Sequence, residues 1–230
     1  MEKTWKKIDM HAHTEFSHDC ESKVEAVLQR ALARGLDGIA ITDHGSVEGA
    51  LLAKKIAREK KLPLIVIVGQ EVKTPHGEVM GLFLKKSIPK CSIREAIAEI
   101  KRQGGVVSIP HPFDFARGSA LNPALIPREE LGKLDAMEVL NARVYAKEMN
   151  AQALAFAKKH SLVHLGGSDA HTLFEIGNAY TLVDAKDGAG VKGAILQGKT
   201  KVRGEVSSPL VHAFSRFASL KKKIIRSLAK

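Results

Sequence analysis

Asp9-Met10-His11-Ala12-His13 (residues 9–13) decides how the rest of the chain is read. Trp5 to Asp9 reads as a short strand running into the interior, and strand side chains alternate with a period of two. A His-x-His pair at the end of that strand therefore sets both imidazoles on one face. Two such imidazoles are a common start for a metal site, and imidazole suits zinc, iron, manganese and nickel alike. The pair alone decides nothing; what matters is which other groups can join it.

Working outward, Glu21 to Arg34 carries apolar residues at helical spacing (Val24, Val27, Leu28, Ala31, Leu32) and stops at Gly35. Gly38 to Thr42 and Leu64 to Val68 are short apolar runs of the kind buried on both faces, separated by a helix over Val47 to Lys60. A turn at Pro75-His76-Gly77 leads to a strand over Val79 to Leu84. Ile93 to Arg102 is helical, Val106 to Ile109 strand, and 113–130 a long loop with Gly118, Pro123 and Pro127. Asp135 to Leu140, Val163 to Leu165 and Ala179 to Val183 read as strands, with a helix over Tyr145 to Lys159. Strands alternating with helices predict an α/β fold with a mainly parallel sheet, and seven or so strands suit a barrel better than an open sheet.

The polar residues fall at strand ends. His11 and His13 follow the first strand, Asp43-His44 the second, Glu71 the third, His111 the run Val106–Ile109, Asn141 the run Asp135–Leu140, and Asp169 and His171 the run Val163–Leu165. In a parallel α/β barrel these C-terminal ends converge on one face, where active sites are built. Any one of these histidines alone would be read as a hydrogen-bonded core residue; together they predict a multinuclear metal site. The donors are nitrogen and oxygen without thiolate, which favours hydrolytic or Lewis-acid chemistry on manganese, zinc or iron.

In this order, His11-x-His13, Thr42-Asp43-His44, Gly69-Gln70-Glu71, Pro110-His111-Pro112 and Ser168-Asp169-Ala170-His171 resemble the PHP (polymerase and histidinol phosphatase) family, from about Ile8 to Val183. The resemblance implies a distorted seven-stranded β/α, TIM-like barrel that holds two or three divalent metals and hydrolyses phosphoesters. It implies one metal site from His11, His13, Glu71 and Asp169, and a second from Asp19, His44 and His171, with His18 the weaker candidate beside Asp19. Glu71 would bridge to a third metal with His111. There the chain departs from the family's pattern: the usual histidine of the next strand is replaced, by register, by Glu78. Either Glu78 serves as an oxygen ligand, or the turn shifts so that His76 serves, or the third metal binds weakly or not at all. Glu71, Asp169 and His171 are then the residues on which catalysis turns.

The chemistry expected of such a centre is in-line attack on phosphorus by metal-bound hydroxide. Asp9, Asp43 and Asn141 are candidates for orienting ligands or substrate, Asp43 alternatively capping the helix that follows it. Arg117, Asn141 and Arg143 sit in strand-end loops as substrate-binding candidates, since a guanidinium grips phosphate bidentately. His160, His164 and His212 lie outside the strand-end pattern and read as structural.

The chain has 230 residues, 44% hydrophobic, and a net charge of +11. From Lys199 onward nine Lys/Arg meet one acid, giving +8, which leaves 27 basic and 24 acidic residues, or +3, before it. A uniformly nucleic-acid-binding body is therefore not indicated. The division expected is one phosphoesterase domain over 1–205 and a basic amphipathic helix over 206–230. Leu210, Phe214, Phe217, Ile224 and Leu228 recur at helical intervals, so this helix is expected to pack its apolar stripe on the barrel; contact with nucleic acid or an anionic membrane is the other reading. No run spans a bilayer, Cys20 and Cys91 read as reduced thiols, and a cytoplasmic location follows as the expectation. Two rivals stay open: an amidohydrolase-type metal hydrolase, and a nucleic-acid-associated accessory module of the same fold with little activity. The partner expected is a small phosphorylated substrate or a short nucleic acid.

Overall fold

In the computed structural model, which describes residues 5–228, nine strands form one sheet. In chain order they are β1 (Trp5–Ala12), β2 (Gly38–Ile41), β3 (Ile65–Thr74), β4 (Gly77–Leu82), β5 (Val106–Ile109), β6 (Ala136–Asn141), β7 (Val163–Gly167), β8 (Ala179–Asp184) and β9 (Thr200–Gly204). The helices are α1 (Val24–Ala33), α2 (Glu48–Glu59), α3 (Ile93–Arg102), the single turn α4 (Arg128–Leu131), α5 (Lys147–Lys159), α6 (Gly188–Leu196) and α7 (Val211–Leu228).

The spatial order is β7-β6-β5-β4-β3-β2-β1-β8-β9. The β1–β2–β3 and β5–β6–β7 ladders are parallel, whereas β4 runs antiparallel to both its neighbours. The sheet is nearly a closed barrel. At its C-terminal rim the Asp169 amide donates to the His11 carbonyl at 2.7 Å and the His13 amide to the Ala170 carbonyl at 2.9 Å, joining β1 to the segment after β7. Below that rim β1 pairs instead with antiparallel β8, which carries β9 beyond it.

Nine strands stand where the resemblance implied seven; eight of them coincide with runs read from the sequence and the ninth does not. That ninth strand, β9, is Thr-Lys-Val-Arg-Gly, a polar strand at the sheet edge with no apolar run to announce it. Helix α6 was missed for a related reason: three glycines in nine residues weaken its helical signature.

Two cores hold the barrel. Inside lie Ile8, Met10, Ala40, Ile67, Met80, Leu82, Val106 and Leu165, plugged by Val191 and Ile195 of α6. Outside, Ile39, Ile41, Val68 and Val107 pack under Leu28, Ala53 and Ile97 of the helical layer. Helix α3 starts on a capping box, Ser92 and Glu95 exchanging side-chain bonds with each other's backbone amides.

The tail forms a helix, but it does not pack as expected. Ala218 is buried, while Phe214, Phe217, Leu220, Ile224 and Ile225 are exposed. The polar side of α7 faces the barrel instead: the His212 ring stacks on Tyr145 at 4.0 Å and Lys222 Nζ donates to the carbonyls of Glu15, Ser17 and Cys20 at 2.7, 2.6 and 2.5 Å. A three-donor ammonium satisfied by three carbonyls outweighs the apolar stripe in setting which side turns inward.

Candidate metal centre

The ladder between β1 and β2 shifts register between Asp9 and Ala12. Such a bulge re-aims side chains. Ile8 and Met10 point into the inner core, Ala12 joins the outer one, and His11 and His13 both reach the mouth, their Nε2 atoms 3.1 Å apart. The remaining strand-end residues arrive around them. Glu71 Oε1 lies 2.9 Å from His111 Nε2 and 3.4 Å from His11 Nε2; its Oε2 lies 3.2 Å from both His13 Nε2 and His44 Nδ1. Asp169 Oδ1 stands 3.7 Å from His11 and 3.4 Å from His13. Asp19 Oδ2 stands 3.2 Å from His171 Nε2 and 3.6 Å from His44 Nε2.

Register explains Glu78. Glu71 pairs with Met80 and Lys73 with Glu78, so Glu71 and Glu78 lie diagonally on the same face of the β3–β4 hairpin. Glu78 is buried, with Oε1 3.0 Å from His44 Nδ1 and Oε2 4.0 Å from His111 Nε2, while His76 is exposed in the turn. His18 is half-buried, its Nδ1 3.8 Å from Asp19 Oδ1. Asp169 and His111 have φ of +54° and +29°, a left-handed backbone that ordinary residues adopt only under constraint.

Three of the imidazoles are oriented from behind. His11 Nδ1 lies 3.2 Å from Glu138 Oε1, His171 Nδ1 donates to the Asp169 carbonyl at 2.9 Å, and His13 Nδ1 meets Ser17 Oγ at 3.0 Å. Ser17 spends its own proton on Asp43 at 2.7 Å, so it accepts from His13. All three rings therefore hold a proton on Nδ1 and turn Nε2 to the mouth, the arrangement of ligating histidines.

The electrostatics favour a cation. Burial alone would lower His11, but Glu71, Asp169 and Glu138 outweigh it and hold its pKa well above the usual imidazole range; Glu78 and Glu71 do the same for His44. Burial alone would raise Glu71 and Asp169, yet His11 and His44 beside the first, and Arg117 and His11 beside the second, hold both well below the carboxylate range. His171 goes the other way, pushed down to about 3 chiefly by burial, and stays neutral. Carboxylates that favour positive charge on buried imidazoles favour a divalent ion among them equally.

The donor set fits such ions. Both oxygens of Glu78, Asp19 Oδ1, His44 Nδ1 and His111 Nδ1 are buried without a hydrogen bond, Glu78 Oε1 and His44 Nδ1 meeting only as an ion pair at 3.0 Å. Unpaired polar atoms at this depth are expensive unless something charged meets them. The groups His11–His13–Asp169, His13–His44–His171 and His44–Glu71–Glu78 each bring one donor atom per residue within 4.8 Å of the others.

A cavity of about 200 Å³ opens over this cluster. Arg117 and Arg143 both line it, the first contacting Asp169 and Asp114, the second lying 3.3 Å from Glu175 and donating to Ser215 Oγ at 2.9 Å. Asn141 is buried and already committed, its Nδ2 donating to Asp169 at 3.0 Å and Glu138 at 2.9 Å, so it positions those carboxylates. Asp43 likewise accepts from the Thr14 amide and hydroxyl and from Ser17. His212, read as structural from sequence, lines the cavity with Ser215 and Arg216; His160 and His164 do not. Glu138 and Glu175 were also missed, although a lone Glu inside Ala136-Met137-Glu138-Val139-Leu140 is a legible signal of a buried, employed carboxylate.

Comparison with known proteins identifies the fold and the family. An uncharacterized protein of Methanocaldococcus jannaschii, MJ0417, is 33% identical over 177 residues, covering 76% of this chain and 69% of the relative. A crystal structure of a two-domain Bacteroides vulgatus protein containing a predicted PHP-like metal-dependent phosphoesterase superposes with TM-score 0.74 at 23% identity, covering 88% of this chain; the chain spans 65% of that protein. The structure of an amidohydrolase from Chromobacterium violaceum is similar in fold, with TM-score 0.58 at 16% identity, covering 84% of this chain and 97% of the other. The model of the PHP domain matches residues 9–224, and the chain belongs to the PHP domain family.

Proposed function

We propose that this chain is a cytoplasmic metal-dependent phosphoesterase acting on a phosphomonoester or on a nucleotide or short oligonucleotide phosphoester. The observation that carries the proposal is the meeting of two groups at one mouth: the imidazole–carboxylate cluster and the paired guanidiniums Arg117 and Arg143. His11, His13, Glu71 and Asp169 would hold one ion, Asp19, His44 and His171 a second, and Glu71, Glu78 and His111 a third, with manganese, zinc or iron suited to these donors. Bound there, the ions would acidify the attacking water and neutralise charge on the phosphoryl oxygens.

The chain's own residues do the rest. Arg117 and Arg143 grip phosphoryl oxygens at the cavity wall, a fork geometry that suits phosphate. Glu138 and Ser17 fix the rings of His11 and His13, and Asn141 holds Asp169 and Glu138 in register. A groove of about 750 Å³ sharing Asp19, His44 and Arg117 continues past Lys73 and Lys90. It gives a nucleotide or oligonucleotide a path away from the reacting phosphate.

The fold likeness to an amidohydrolase favours a second reading, hydrolysis of a cyclic amide. A panel of phosphomonoesters, phosphodiesters and a cyclic amide, run with metal analysis, separates the two. His11→Ala and Asp169→Ala are expected to abolish turnover and lower bound metal while the fold persists; full activity in either would overturn the ligand assignment.

A further inference from the structure

We propose that the outer side of α7 is a docking surface for an anionic lipid membrane. The helix lies on the barrel through its polar side, with His212 on Tyr145, Ser215 on Arg143 and Lys222 on three carbonyls. Its outward ridge is apolar: Phe217 is 66% exposed, Leu220 58% and Ile224 50%. Leu210, just before the helix, and Phe174, which shares a surface recess with Phe214 and Phe217, extend the patch at 72% and 79% exposure. A contiguous apolar surface of this kind marks an interaction site.

Charge selects the occupant. Lys223 flanks the ridge, Lys221 lies beside it within 2.7 Å of Glu21, Arg216 turns to the cavity and Tyr145, and Val211–Leu228 contains no Asp or Glu. An apolar ridge with cations at its borders fits the interface of an anionic bilayer, where rings and aliphatic chains enter the acyl boundary and ammonium groups meet phosphate headgroups. A second copy would set Lys221 and Lys223 against their own kind, and Glu21, the carboxylate at this face, is already engaged by Lys221. A nucleic acid strand would meet Leu220 and Ile224 where its phosphates need cations. The proposal stands apart from the hydrolytic reading, since none of the outer residues is among the ion-holding groups.

The test is cosedimentation of the full chain with vesicles of phosphatidylcholine alone or mixed with phosphatidylserine, at low and high salt. Binding is expected only to the mixed vesicles and is expected to weaken with salt. A Phe217→Ser/Ile224→Ser pair is expected to reduce it at least about tenfold by removing two inserted side chains. Lys223→Glu is expected to reduce it several-fold by reversing charge. Circular dichroism checks that the helix persists in each variant, and hydrolysis of a soluble substrate is expected to be retained. Failure to bind mixed vesicles, or equal binding to both kinds, would overturn the proposal. So would a dimer in sedimentation that Phe217→Ser dissolves, which assigns the face to a second copy. Single-stranded nucleic acid binding lost in the same variant would assign it to nucleic acid and equally overturn the proposal.

Discussion

Lys222→Met isolates what α7 does for the metal centre, because methionine keeps most of the side-chain stem and removes only the ammonium. In the native chain that ammonium donates to the carbonyls of Glu15, Ser17 and Cys20 at 2.7, 2.6 and 2.5 Å. These carbonyls belong to the loop that carries Asp19 and, through Ser17, the support of His13. The same loop is tied at its far end by the Cys20 thiol, which burial pushes up to about 12, so it stays protonated and donates to the His171 carbonyl at 3.1 Å. A hydrogen bond from a charged donor contributes roughly 1.5–3 kcal/mol. The three share one donor and water can replace part of the loss, so the total is about 2 kcal/mol rather than the sum. If that free energy is what holds Asp19 in place, the affinity of the Asp19–His44–His171 group falls about 30-fold, since each factor of ten corresponds to about 1.4 kcal/mol. Removing groups that orient ligands usually costs about 10–100-fold, which brackets this figure. Calorimetric titration of the metal-depleted chain with manganese reads both affinity and stoichiometry. The reasoning predicts one weakened class of site beside another that is unchanged, with Lys222→Arg intermediate. Unchanged titration, or a uniform loss at every site with a matching fall in Tm, would refute it.

Glu138→Gln presents an amide to the ring nitrogen of His11 and to the donors of His111 and Asn141; metal affinity measured by the same titration is expected to fall about 10–100-fold. At Gly167 a methyl group would sit 2.5 Å from His11 Cβ and 2.7 Å from its amide. Gly167→Ala is therefore expected to cost about 1–3 kcal/mol by overpacking, seen as a fall in Tm of about 2–4 °C per kcal/mol. His212 is held down to about 4, first by burial and then by Arg143, below its unfolded value of 6.5. The unfolded chain thus binds the extra proton between those values, and stability present above about pH 6.5 is lost as pH falls toward about 4. Melting curves at a series of pH values are expected to show a smaller acid loss in His212→Gln than in the native chain. Chelation is expected to lower Tm in proportion to the logarithm of the free metal previously supplied, without unfolding the barrel at room temperature.

The strand-end logic was legible because it rests on periodicity: an apolar run followed by His, Asp or Glu needs no knowledge of distant contacts. The side on which Glu78 falls was legible too, since register along a hairpin fixes it. Three things were not. The apolar run around Glu138 marks it as buried and employed, but its partner His11 is 127 positions away and nothing local reports it. His212 reaches the cavity only because α7 is docked polar side down. That orientation is itself illegible in a helical wheel, which shows an apolar stripe but not that three backbone carbonyls near Asp19 are waiting for an ammonium. The count of strands failed at β9, where edge position removes the need for hydrophobic residues.

The segments that bring His11 and Asp169 together lie far apart in the chain, with His11 and Ser168 157 positions apart, and hydrogen bonds of backbone and carboxylate close the seam between them. Asp9 is buried at the seam between them and accepts from the amides of Ser168 at 2.8 Å, Gly177 at 2.9 Å and His11 at 3.3 Å. Burial pushes its carboxyl up to about 6, against the pull of those donors, so the seam is closed by a group whose position costs free energy. Above it the direct backbone bonds between His11 and Asp169 and between His13 and Ala170 finish the rim. The left-handed backbone at Asp169 follows from this closure, because the chain must turn at once from β7 to meet β1. A centre built on such a seam is preorganised: ligand geometry is fixed by the sheet, and the ions would enter a site whose polar atoms already converge. That is why substitutions at the ligands are expected to remove metal and turnover while the barrel persists, whereas substitutions at the seam are expected to remove all three.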